Sequence, residues 1–142
     1  MNRYTELEIA ILSSLLQRPK LMDKMFLEDK YFKNYKSIWL FMKSCYEKFG
    51  TFDLNLMYSV CKNKFHLMNK MTLLIDADPS PSRIVEYQKQ LIEEYEESKK
   101  SKWIREKIYE LANDLFVMKI SVEEFKIKCN KIYADAEAIF KD

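Results

Sequence analysis

The chain is predicted to be all-α: a compact multi-helix bundle over residues 1–95 followed by an antiparallel helical hairpin over residues 96–142. Three observations carry this. Apolar residues recur three and four positions apart through most of the sequence, the spacing that keeps side chains on one face of a helix. Helix-starting and helix-stopping residues punctuate that pattern at helix-length intervals. The two-residue alternation of a half-buried strand is absent.

Thr5 and Glu8 stand as a capping box ahead of Leu7, Ile11, Leu12, Leu15 and Leu16, which predicts a buried first helix that stops at Arg18-Pro19. Leu21, Met22, Met25 and Phe26 fit a short second helix. Asn34 can start a third, from about Tyr35 to Phe49, with Ile38, Trp39, Phe41, Met42 and Cys45 inside and Gly50 as its C-terminal stop. Asp53 caps a fourth, whose apolar side is Leu54, Met57, Val60 and Cys61, and a shorter helix spans Leu67 to Ile75. Pro79-Ser80-Pro81-Ser82 is the clearest punctuation, with Pro81 suited to the first turn of the next helix.

From Ser82 to Lys119 neither proline nor glycine interrupts the chain. Ile84, Tyr87, Leu91 and Tyr95 lead into a polar run, Glu96 to Lys102, where the bundle is expected to give way to the hairpin. There Ile104, Ile108, Leu111, Leu115 and Met118, then Val122, Phe125, Cys129, Ile132, Ala136 and Ile139, form two narrow apolar seams of the kind needed by helices packed along each other. Ser121 and Glu124 form a second capping box that restarts the chain after a sharp reversal. Trp103, Phe116, Tyr133 and Phe140 fall beside the seam and are expected to leave apolar surface in water. Burying such side chains is worth roughly 1.5–3 kcal/mol each before the cost of association, so a second copy pairing through Trp103 to Phe140 is expected.

Composition excludes several function classes. The net charge of +2 arises from 24 basic and 22 acidic residues that alternate along the chain, so no broad positive field for a nucleic acid backbone exists and tight nucleic-acid binding is not expected. With Gly50 as the only glycine, a phosphate-cradling loop is missing. Cys45, Cys61 and Cys129 are odd in number and far apart, and read as reduced core thiols. A membrane span and a secretion signal are both absent, so a cytoplasmic location is expected.

Few residues offer chemistry. His66 is the only histidine, which removes the usual member of triads, histidine metal sites and general-base schemes. Asp53, Asp76 and Asp78 could hold a magnesium ion but sit where helices start or stop, and capping accounts for them. Glu93, Glu94, Glu96 and Glu97 followed by Lys99, Lys100, Lys102 and Arg105 place opposite charges three and four apart, for example Glu96 with Lys100, the pattern of a solvated helix. Met22, Met25, Met42, Met57, Met68 and Met71 lie on apolar faces as core filler, with a groove for a partner helix as the alternative. Trp39 reads as core, and Trp103 as an interface aromatic. No catalytic residue, cofactor or metal ligand is assigned.

Four stretches in this order carry a resemblance. They are Glu6-Leu7-Glu8-Ile9-Ala10-Ile11-Leu12-Ser13-Ser14-Leu15-Leu16; Phe32 and Ile38 through Tyr46-Glu47-Lys48-Phe49-Gly50 to Asp53; Pro79 to Ile92 with Tyr87; and Ile104-Arg105-Glu106 through Glu110-Leu111-Ala112. With them the chain resembles the N-terminal domain of DnaB-type replicative helicases. The resemblance implies a bundle plus a hairpin, hairpins that pair between subunits, and a collar above a ring of motor domains that receives a primase or a helicase loader. The family's frequent glycine pair is missing around Phe65 to Asn69, which puts the local turn there in question. No Gly-x-x-x-x-Gly-Lys-Ser/Thr loop occurs, so this chain is not expected to hydrolyse ATP or unwind DNA by itself. It is expected to be either a domain of a longer helicase or a free-standing relative. The helicase-binding C-terminal domain of DnaG-type primases resembles the same architecture and stands as an alternative, as does an adaptor or inhibitor that mimics the collar.

Overall fold

The computed structural model describes residues 1–141 apart from the side chain of Val60, so the expected apolar role of Val60 and the last residue of the expected hairpin, Asp142, lie outside the described residues. The fold is all-α. Its helices are α1 (Arg3–Gln17), α2 (Lys36–Phe49), α3 (Leu54–Cys61), α4 (Phe65–Asp76), α5 (Ile84–Phe116) and α6 (Val122–Ile139), with 3₁₀ turns at Pro19–Lys24, Asp29–Tyr31 and Pro81–Arg83. The chain divides into two units between Glu94 and Tyr95, one residue before the boundary expected from the sequence, and α5 contributes to both.

In the first unit α1 is enclosed on nearly every side. Tyr4, Leu7, Ile9, Ile11, Leu12 and Leu15 are buried, along with Glu8, Ser13 and Ser14. The core of the unit also holds Phe32, Ile38, Trp39, Met42, Met57, Met71, Leu74, Ile84 and Leu91, each nearly or fully excluded from solvent. Trp39 stacks on Phe32 at 4.6 Å between ring centroids and donates its indole N–H to Asp29 at 2.8 Å. Buried polar groups are matched: Ser13 donates to the Leu74 carbonyl at 2.9 Å. Gln88 donates to the Lys24 and Ile84 carbonyls and accepts from the Phe26 and Leu27 N–H groups, pinning the loop ahead of Asp29 to α5.

The capping residues fall differently from the sequence reading at the first helix. Asn2, not Thr5, is the N-cap, accepting from the Thr5 N–H at 2.8 Å. Asparagine caps as well as threonine does, and starting the helix earlier seats the Tyr4 ring, whose hydroxyl donates to the Tyr31 carbonyl. Glu8 is therefore no member of a capping box; its carboxylate turns to Asn34 and Tyr35. Asn34 in turn does not cap α2, whose N-cap is Tyr35 without a side-chain bond. Asp53 caps α3 through the Leu56 N–H at 2.7 Å, and Gly50 ends α2 at φ 70°, a left-handed conformation that costs glycine nothing. Pro81 opens the 3₁₀ turn that leads into α5. The expected second helix is a 3₁₀ turn that ends at Lys24; Leu21 and Met22 within it and Met25 just after it are only half-buried, Phe26 is exposed, and Leu27 takes the core position.

The second unit is a helical hairpin of the later α5 and α6. Ser121 caps α6, accepting from the Glu124 N–H at 3.1 Å. At the end of α5 the Lys119 N–H reaches the Asp114 carbonyl and the Met118 N–H the Leu115 carbonyl, a Schellman closure. Its left-handed position is taken by Met118, at φ 62°. Met118 is thus 90% exposed and leaves the seam, because the closure turns it outward. Val122 and Ile139, also expected on the seam, lie at the ends of α6 and are exposed. Within the seam Leu111 and Ala136 are buried, and Ile104, Ile108, Leu115, Phe125, Cys129 and Ile132 are half-buried.

A candidate protein-interaction surface on the hairpin

The two sides of the hairpin differ in chemistry. Lys107, Glu110, Asp114, Lys128, Lys131 and Asp135 each precede a seam residue by one position, and together with Leu111 and Ile132 they line one shallow hollow of about 330 Å³. Residues displaced from the seam in the same rotational sense therefore share a side, as an antiparallel pair requires. Tyr109, Phe116 and Tyr133 each follow a seam residue by one position, which places them together on the opposite side. Phe116 is 85% exposed, Tyr109 78% and Tyr133 53%. One side is thus charged, and the other presents three exposed aromatic rings among Arg105, Lys126 and Glu137, which follow seam residues in the same way.

The expected interface residues separate accordingly. Phe116 and Tyr133 are exposed as anticipated. Trp103 and Phe140 are not free flanks: their rings meet edge to face at 6.2 Å, both half-buried, and close the end of the hairpin remote from its turn. Lys107 lies over the Trp103 ring at 5.8 Å, so this tryptophan is a packing residue of the hairpin itself. Ile104, Ile108, Leu111, Leu115, Phe125 and Ile132 serve the seam between α5 and α6. The sequence reading missed Tyr109, although a signal was present: it lies seven residues before Phe116, two helical turns along the same face. The expected pairing of Glu96 with Lys100 gives way to a bond from Lys100 to Glu137 across the hairpin, which raises the Lys100 ammonium above its ordinary value.

Elsewhere the polar groups are structural. His66 is exposed on α4. Burial pushes the Cys45 and Cys61 thiols up, away from the reactive thiolate form. Asp29 is held below the usual carboxylate range, first by the Trp39 indole N–H and then by Lys43. Among the described residues no group of three His, Cys, Asp or Glu side chains could hold a metal ion, and no helix is long and apolar enough to cross a membrane. On the first unit an open hollow of about 270 Å³ is lined by residues that include Arg3, Glu6, Asp78, Arg83 and Tyr87, charges of both signs that Arg3 already spends on Gln90 and Arg83 on the Tyr87 ring. No family model, no curated protein and no solved structure matches the chain.

Proposed function

We propose that this chain is a protein–protein interaction and oligomerisation domain, of the kind that forms the collar of a DnaB-type replicative helicase and docks a primase or a loader. The observation that carries the self-association half is the aromatic side of the hairpin, Tyr109, Phe116 and Tyr133, on a unit whose seam is already internally occupied. Three exposed rings on one side of a two-helix unit leave apolar surface that a second hairpin would cover. The replication context rests on the sequence resemblance alone. The helicase-binding domain of a primase, or a free-standing inhibitor that mimics the collar, is the second reading, carried by the same bundle-plus-hairpin order.

Light scattering across a concentration series tests the self-association. The wild type is expected to dimerise with rising concentration, and Phe116→Glu combined with Tyr133→Glu to give a folded, helical monomer. A wild type that stays monomeric at millimolar concentration, or a dimer untouched by the double change, would remove the hairpin as the interface. For the partner, calorimetry with the C-terminal domain of a cognate primase is expected to register binding, and no heat with either primase or loader would count against the collar reading.

A further inference from the structure

Glu8 is a carboxyl with no exposed surface, yet the groups that hold it are uncharged amides. Its Oε1 accepts from the Asn34 N–H at 3.0 Å and the Tyr35 N–H at 3.3 Å, and its Oε2 accepts from the Asn34 side-chain Nδ2 at 2.9 Å. The same Nδ2 donates to Thr5 Oγ1 at 3.0 Å. A buried carboxylate held by neutral donors is poorly compensated for the loss of water, so its acid form is favoured relative to solution. What matters is whether the site can also satisfy the acid form.

We propose that Glu8, Asn34 and Thr5 form a proton-linked hydrogen-bond switch with two complete arrangements, related by a half-turn of the Asn34 amide. In the ionised arrangement Asn34 Nδ2 donates to both Glu8 Oε2 and Thr5 Oγ1. When a proton from solvent binds Oε2, the amide turns over so that Asn34 Oδ1 accepts from the new Glu8 O–H and from the Thr5 hydroxyl. Nδ2 then faces outward, and Asn34 is exposed, so water serves it. Oε1 keeps the Asn34 and Tyr35 N–H groups in both arrangements. The backbone at the start of α2 need not move.

The remaining neighbours are compatible with one proton moving at this site. Besides Asn34 and Tyr35, the Lys33 backbone N–H donates to Glu8, and the Lys33 ammonium lies over the Tyr4 ring at 4.9 Å. From α4, Lys70 donates to the Asn34 carbonyl and lies over the Tyr35 ring at 5.5 Å. Lys36, at the start of α2, acts on Asp29. The Tyr35 hydroxyl is raised above its ordinary value by burial and then by the Glu8 charge, so it stays protonated where Glu8 titrates. Burial raises Glu8 itself, in the same direction as the geometry argues. The device changes the charge under a lysine-bearing corner without opening the fold.

The test is a pH titration of the wild-type chain by NMR, following the Glu8 carboxyl carbon and the Asn34 side-chain amide. The expected result is a Glu8 midpoint above the ordinary carboxylate range. The Asn34 NH₂ signals should shift with that same midpoint and lose their proximity to the Thr5 methyl on the acid side. The backbone amides of Asn34 and Tyr35 should stay protected. In Glu8→Gln, whose side-chain nitrogen donates as the acid would, Asn34 should be turned over at every pH and its titration abolished. A Glu8 midpoint at or below the ordinary value, an Asn34 amide that ignores it, or loss of protection at Asn34 and Tyr35 on protonation would overturn the switch.

Discussion

Met118 occupies the left-handed position of the hairpin turn with a large side chain, where a non-glycine residue costs roughly 1–2 kcal/mol of local strain. Because Met118 is 90% exposed, little packing is lost when its side chain is removed. Met118→Gly is therefore expected to raise the thermal midpoint of the hairpin, read by circular dichroism, and a lowered midpoint would mean that the side chain makes a contact worth more than the strain. Gln88 presents the opposite case. Its amide satisfies two carbonyls and two N–H groups, so Gln88→Leu would strand the Phe26 and Leu27 donors. The expected cost is about 2 kcal/mol or more in chemical denaturation. Glu8 supplies the pH dependence. Burial raises its folded-state pKa above that of a free glutamic acid, so the stability it contributes is fully present below the free value and is lost as pH rises through the raised one. The stability of the wild type relative to Glu8→Gln is expected to fall across that window, and a difference that rises with pH would reverse the assignment.

Capping and close approach govern the individual elements. Ser121 satisfies the first free N–H groups of α6, and Ser121→Ala is expected to cost about 1 kcal/mol, chiefly in the hairpin. Ala136 has no exposed surface, so its place on α6 leaves no room beyond a methyl group. Ala136→Leu is expected to force the helices apart and cost about 1–3 kcal/mol by overpacking, while leaving α1 to α4 intact. Amide protection measured by hydrogen exchange would separate the two regions. Lys100 and Glu137 cross the hairpin on an exposed face, and an exposed ion pair of this kind adds little to stability. The difference between the hairpin's two sides arises at this scale, from the single position by which each residue leads or follows the seam.

For the whole molecule the two units are unequally built. The first holds most of the buried side chains, whereas the hairpin has only Leu111 and Ala136 in that class among its described residues. The hairpin is therefore expected to unfold first in the monomer. One tryptophan lies in each unit, so in Trp103→Phe the fluorescence of Trp39 should report a transition at higher temperature than the helical signal of residues 95–141. A single coincident transition would show that the units unfold together.

The helical class, the hairpin and the caps Gly50, Asp53, Pro81 and Ser121 were legible in the sequence, since spacing, capping and backbone conformation are local properties within a few residues. Thr5 was misread because Asn2 is an equally good cap three residues earlier, and local chemistry alone does not choose between two good caps. The choice came from Tyr4, seated by a carbonyl that arrives from residue 31. Glu8, which its spacing from Thr5 marks as a capping partner, is instead the buried acceptor for the start of α2, a role that exists only once α1 and the loop ahead of α2 are brought together. Trp103 and Phe140 are separated along the chain by almost the full hairpin, so their mutual packing also waited on the fold. The sequence by itself determined which residues form helices and which helix faces are apolar. Tertiary structure decided which exposed aromatics remain uncovered and which buried polar groups are matched, because both depend on contacts between residues far apart in the chain.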